Sequence, residues 1–268
     1  MTSALVGPVV DTHCHMDVRF DDEFELPDVT AAMAAARAVN VTKVIQVGCD
    51  VASSQWAAQA ALTHPDIWAT VALHPNAAAH DTDLTNSLAE IAKLAQLPQV
   101  RGIGETGLDY YRTDKSQAQA QHESFRAHID IARQVGKPVV IHDRDAHEDV
   151  IATLESHGAP ETVVFHCFSG DAQMAKICAQ AGWYMSIPGV VTFKNAQQLR
   201  DAVVEIPDHL LLVETDSPFL TPAPNRGQAN SSANIPWTVR AICEVRGQSE
   251  QEICELLFSN AARVFGPF

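Results

Sequence analysis

The chain reads as a (β/α)8 TIM barrel with a metal site at the C-terminal rim of its strands. Three observations predict it. Short apolar runs alternate with helix-like runs through all 268 residues. The strand-like runs are almost continuously apolar, as strands covered on both faces must be. Six side chains able to ligate metal stand at or just past the ends of such runs: His13, His15, Glu105, His142, His166 and Asp216. A barrel gathers its strand ends on one rim and builds its active site there. An open doubly wound sheet is the competitor, but it calls for a glycine-rich phosphate-binding turn after the first strand. His13-Cys14-His15 stands there instead.

The elements follow in order. Pro8-Val9-Val10 opens the first strand, and residues 28–39, rich in Ala and Met at helical spacing, form the first helix. Residues 42–47 are a strand, 53–63 a helix capped by Ser53, and 67–73 a strand. Residues 84–97 repeat apolar positions every three or four residues and stop at Pro98; 100–104 follow as a strand. Residues 116–135 form a long polar helix whose Phe125, Ile129 and Ala132 share a face and which Gly136 ends. The remaining strands are 138–141, 162–165, 183–187 and 209–213, with helices at 145–156, 171–181 and 195–204 between them. A Pro-, Asn-, Gly- and Ser-rich loop, 217–234, precedes terminal helices at 236–246 and 249–258. No second domain, low-complexity segment or repeat beyond this alternation is visible, so residues 1–268 are expected to be one domain.

Composition sets bounds. Hydrophobic residues make up 46% of the chain, enough for a large core. No apolar stretch approaches the ~20 residues of a membrane span. Residues 1–10 show neither a basic start nor a long apolar run, so no signal peptide is expected. Six scattered cysteines suit a reducing cytoplasm. The net charge of −15 argues against a broad phosphate footprint on duplex nucleic acid, which calls for basic stripes. Any anionic substrate must be drawn in by bound cations and a few local arginines.

His13 and His15 are two apart on extended chain, so their rings point the same way and Cys14 the other. Asp11 and Asp17 nearby can orient ligating imidazoles. Glu105 sits between glycines in Gly-Ile-Gly-Glu-Thr-Gly-Leu-Asp, which suggests close backbone approach or unusual dihedrals. A carboxylate there can bridge two cations held about 3.5–4 Å apart. His142 and His166 end successive strands. Asp216 leaves a wholly apolar strand and must be paired or metal-bound to stay ionised; it is the natural general base. His74, in Leu-His-Pro-Asn, suits a supporting or substrate-contacting role. Arg112, Arg144 and Arg226, in loops after strands, can grip a phosphate bidentately; an ordinary surface role is the alternative. Cys14 and Cys167 are expected to face the packing side.

These residues resemble the TatD-type metal-dependent hydrolases, a branch of the amidohydrolase-like barrel superfamily. The resemblance rests on Asp-Thr-His-Cys-His-Met-Asp (11–17), Leu-His-Pro (73–75), Gly-Glu-Thr-Gly-Leu-Asp-Tyr-Tyr (104–111), Ile-His-Asp-Arg-Asp-Ala (141–146), His-Cys-Phe-Ser-Gly (166–170) and Glu-Thr-Asp-Ser-Pro-Phe-Leu (214–220). It implies a metal-dependent nuclease, often removing nucleotides 3′-to-5′ from DNA ends or single strands. It also implies that His13, His15, Glu105, His142, His166 and Asp216 hold two divalent metal ions. Imidazole-rich sites favour zinc or manganese, and the resemblance also admits magnesium. Two departures stand out: Thr106 where the family commonly has Ile or Val, and Ser231-Ser232 where Asn230 is often followed by Glu-Pro.

The alternatives are hydrolysis of a C–N bond, hydrolysis of an aminoacyl ester as in aminoacyl-tRNA deacylation, and a non-catalytic metal scaffold. Many two-metal relatives bridge with a modified lysine at the end of the fourth strand. Glu105 occupies that position here, which favours phosphoester cleavage. No membrane association and no obligate protein partner are expected.

Overall fold

A computed structural model describes residues 2–21 and 26–267; Met1 and Phe268, the limits of the expected domain, lie outside that range. Eight strands follow one another in the sheet in chain order. They are β1 (Val9–Cys14), β2 (Val41–Val47), β3 (Ile67–Val71), β4 (Val100–Asp109), β5 (Val139–Arg144), β6 (Val163–Phe165), β7 (Tyr184–Ile187) and β8 (Leu211–Val213). Among the described residues ten α-helices separate or follow them: α1 (Val29–Arg37), α2 (Val51–Thr63), α3 (Pro75–His80), α4 (Leu84–Leu94), α5 (Gln119–Val135), α6 (His147–His157), α7 (Ala172–Gln180), α8 (Gln197–Glu205), α9 (Ile235–Arg246) and α10 (Glu250–Phe265). This is the (β/α)8 barrel the sequence predicts. The chain divides into two compact units, residues 1–45 with 170–268, and residues 46–169.

In the first unit, β7 pairs in parallel with β8, and β8 leads back to β1 through a parallel bridge between Cys14 and Ser217. Thr12 Oγ1 donates to Val213 O at 3.0 Å. α10 packs on both strands with Ile253, Cys254 and Leu257 buried. Its start is fixed by a capping box between Ser249 and Glu252, which satisfies backbone donors that the helix itself leaves unpaired.

In the second unit, β3, β4, β5 and β6 pair in parallel. Phe125, Ile129 and Ala132 are fully buried on α5, which packs on β4 and ends at Gly136 with φ 64°. Burying Phe125 or Ile129 contributes roughly 1.5–3 kcal/mol each, and the single methyl of Ala132 about 0.8 kcal/mol.

Four departures from the expected elements matter most, beside β5, which runs to Arg144, three residues past its expected end. β4 runs to Asp109, five residues past the expected end, so Glu105 lies inside a strand. Gly104 and Gly107 read as breakers, yet they are what lets β4 approach β5. A Cβ on Gly104 would lie 2.5 Å from Val140 Cβ, and one on Gly107 only 2.1 Å from His142 O. α3, unanticipated, begins at Pro75 with His74 as its cap. α2 starts two residues early because Asp50 is its N-cap, and Ser53 closes the box from the third helical position. α10 continues to Phe265, seven residues beyond expectation. No helix among the described residues is long and apolar enough to cross a membrane.

Candidate metal centre

In the first unit, alternation along β1 and just past it turns His13 and His15 to one side, while Cys14 lies buried with Sγ 3.4 Å from Ile45 O. Burial pushes the Cys14 thiol well above its usual range, which fits packing rather than ligation. The segment after β8 is tied to β1 by its backbone: Asp216 N donates to His13 O at 2.9 Å, and His15 N to Ser217 O at 2.7 Å. Asp216 takes up the left-handed conformation, φ 53°, which Asp tolerates better than most residues. Buried Asp11 braces this corner, accepting from Thr215 N at 2.9 Å, Thr215 Oγ1 at 2.6 Å and His13 N at 3.3 Å. Burial pushes its carboxyl up to about 7, against the pull of hydrogen bonds from Thr215 and Ser232.

The outcome is a three-donor set. His13 Nε2 and His15 Nε2 are 3.1 Å apart, and Asp216 Oδ1 lies 3.5 Å from His15 Nε2 and 3.8 Å from His13 Nε2. Two imidazole nitrogens at that distance repel unless a proton or a cation lies between them. Donors each about 2.1 Å from a shared ion stand about 3 to 3.5 Å apart, so the spacing suits a divalent ion.

The second unit holds another set, centred on Glu105, which is 4% exposed. Its Oε1 lies 2.5 Å from His142 Nδ1, 2.9 Å from His166 Nε2 and 3.4 Å from His74 Nε2. Glu105, His142 and His166 place one donor atom each close enough to hold a metal ion together. Three imidazoles around a single carboxylate oxygen is a donor chemistry suited to zinc or manganese. The other nitrogen of His142 lies 3.2 Å from Asp109 Oδ2. Burial lowers the basicity of His142, but the hydrogen bonds to Asp109 and Glu105 outweigh it and hold the imidazole above its ordinary range. Asp109, in turn, is pushed up by burial yet held well below the carboxylate range by hydrogen bonds from His142, the Arg112 backbone and Asn76. It therefore stays an ionised acceptor. His74 is held low by burial; its Nδ1 accepts from Asn76 N at 3.0 Å, so the helix cap aims Nε2 at Glu105.

Each unit thus assembles three of the six expected ligands. His74 stands beside the second set, its Nε2 3.4 Å from Glu105 Oε1. Arg112, Arg144 and Arg226 are exposed. Arg144 and Arg226 lie over aromatic rings, at 3.9 Å from the Tyr111 centroid and 3.8 Å from that of Phe193. Asp109 and Cys49 escaped the sequence reading. Asp109 shares Glu105's parity along β4, a signal hidden by ending that strand at Gly104. Cys49 Sγ lies 3.8 Å from Glu105 Oε2 and was masked by the absence of a paired-cysteine pattern.

A (β/α)8 barrel whose strand ends carry two histidine–carboxylate sets is the frame of a metal-dependent hydrolase. The chain belongs to the family described as TatD related DNase, whose model matches residues 10–266. An uncharacterized metal-dependent hydrolase, TatD, of Mycobacterium tuberculosis is 42% identical over 262 residues, covering 96% of this chain and 98% of its own. The uncharacterized metal-dependent hydrolase YabD of Bacillus subtilis is 38% identical, covering 95% of this chain and 98% of its own. The crystal structure of the TatD homologue YjjV from Escherichia coli superposes with a TM-score of 0.88 at 27% identity, covering 96% of this chain and 97% of that one.

Proposed function

We propose that the chain is a metal-dependent deoxyribonuclease that cleaves phosphodiester bonds from the 3′ end of DNA, with RNA as a further substrate. The observation that carries this reading is the pair of three-donor sets at strand ends in a member of the TatD related DNase family. In this reading His13, His15 and Asp216 would hold one divalent ion and Glu105, His142 and His166 another. Zinc, manganese and magnesium are the candidates. Bound there, such ions supply Lewis acidity to phosphoryl oxygens and lower the pKa of water to roughly 7.

The chain's own residues do the rest. Asp216 accepts the proton of the attacking water on a carboxylate oxygen and later passes it toward the leaving oxygen. Asp109 holds the His142 ring, and His74 supports Glu105. No serine or cysteine attacks, so no covalent intermediate forms. Arg112, Arg144 and Arg226 are the assigned phosphate contacts. Because the net charge is −15, long duplex binds weakly, and ends or single strands are preferred. Residues 1–268 act as one catalytic domain without an obligate protein partner, and six scattered cysteines suit the cytoplasm.

Elemental analysis of the purified protein, coupled to an assay on end-labelled single-stranded DNA with zinc, manganese or magnesium, tests this. The expected result is two ions per chain and metal-dependent shortening of the strand. Glu105→Ala should lose at least one ion and nearly all turnover. If that variant keeps two tightly bound ions and normal turnover, the assignment of Glu105 as a ligand is wrong. Hydrolysis of an aminoacyl ester or a C–N bond with DNA left intact would replace the nuclease reading.

A further inference from the structure

Tyr111 is 65% exposed, an unusual setting for so large a ring, and it stands two residues past Asp109 at the end of β4. The Arg144 guanidinium carbon lies 3.9 Å from its ring centroid. With one face on the guanidinium and most of the residue exposed, the opposite face is left to solvent. Arg144 ends β5 opposite Asp109 in the strand register, two residues beyond His142.

The backbone beneath the pair is fixed. Tyr110 N donates to Arg144 O at 2.9 Å, Arg112 N donates to Asp109 Oδ1 at 2.8 Å, and the Tyr110 hydroxyl donates to Asp149 Oδ2 at 2.6 Å. Lys115 Nζ reaches the same Asp149 oxygen at 2.7 Å. The ring is therefore carried on a braced segment, which keeps the entropy cost of using it low.

The arginines here differ from four others in the chain. Arg133, Arg240 and Arg246 are ion-paired with Asp130, Glu250 and Asp208, and Arg200 donates to the carbonyls of Val191 and Phe193. Among the described residues, the guanidiniums of Arg112 and Arg144 have neither a carboxylate nor a carbonyl partner. In so acidic a protein, two cations left without acids, one stacked on the exposed ring and the other next to it in sequence, have donors to offer a ligand.

We propose that Tyr111, stacked on Arg144, is a nucleobase platform: one base of a single-stranded substrate lies on the open face of the ring, and the adjoining phosphate meets the Arg112 and Arg144 guanidiniums. The inference rests on the nucleic-acid reading above and adds to it the residue that selects unstacked over paired bases. Every base has a π-face, so such a platform tolerates any sequence, but a base inside a duplex has no face free to offer it.

The test is binding and turnover of a short single-stranded oligonucleotide carrying a fluorescent purine at its 3′ end, measured with manganese-loaded protein. Stacking on wild type should change the purine's fluorescence. Tyr111→Ala should weaken Kd by about 5- to 100-fold and raise KM more than it lowers kcat, in the range of one lost base–aromatic stack. Tyr111→Trp should restore both, and the thermal midpoint of Tyr111→Ala should be unchanged because the ring is exposed. Wild-type binding and KM in Tyr111→Ala would overturn the platform while leaving the nuclease reading in place. If wild type neither binds nor cleaves the oligonucleotide, both fall together.

Discussion

Asp109 Oδ2 lies 3.2 Å from His142 Nε2, while the ring's other nitrogen is 2.5 Å from Glu105. One carboxylate therefore fixes which nitrogen of His142 faces the ligand set. Asp109→Asn keeps the shape but removes the charge that holds the Nε2 proton. Metal affinity or turnover should fall by roughly 10- to 100-fold, as is usual when the partner of a ligating histidine is lost. Titration calorimetry with manganese or zinc checks this; unchanged affinity and turnover would reduce Asp109 to a structural role.

Asp216 is seated by its own backbone, which donates to His13 O at 2.9 Å, so Asp216→Asn should leave the fold intact. Turnover should drop at least ~10²-fold, within the range that general bases contribute. Metal content must be measured beside it. Near-normal turnover in a fully loaded Asp216→Asn protein would remove this residue from the proton transfer.

His128 is wholly buried on α5 and held neutral at both nitrogens. Its Nε2 accepts from Leu73 N at 3.0 Å, and its Nδ1 lies 2.7 Å from Ser124 O, to which it donates. Burial lowers its pKa from 6.5 to about 4. Between those values the unfolded chain binds the proton and the folded chain does not, so stability rises with pH. The contribution is complete above pH 6.5 and is lost as pH falls toward about 4, on the order of 3 kcal/mol in total. Urea unfolding of wild type and His128→Gln at pH 7 and pH 5 should show the wild-type advantage shrinking on acidification. An advantage that is constant or grows would contradict the assignment.

Gly107 combines φ 142° with a β5 carbonyl where its Cβ would stand. Gly107→Ala should destabilise the protein by about 2 kcal/mol or more and displace His142, weakening metal binding. Gly136→Ala, at φ 64° with nothing within 4 Å, carries only the left-handed cost of about 1–2 kcal/mol and should leave the metal alone. Denaturant midpoints and metal titrations of the two variants separate clash from backbone strain.

The sequence by itself determined the alternation of strands and helices, because burial on both faces demands near-continuous apolar strands. It also determined which side chains end those strands, since ligand chemistry is written in residue type. The capping box of α2 is half legible: Ser53 signals a helix start, but Asp50, which accepts from Ser53 N at 2.7 Å, holds it. The length of β4 was not legible, because Gly104 and Gly107 look like breakers until Val140 and His142 of the neighbouring strand are placed against them. Asp109 became a partner of His142, and Arg144 a support for Tyr111, only in three dimensions. Those contacts join β4 and its turn to β5 across more than thirty residues of chain, and no local propensity or spacing reports which of many carboxylates or rings a strand register brings alongside.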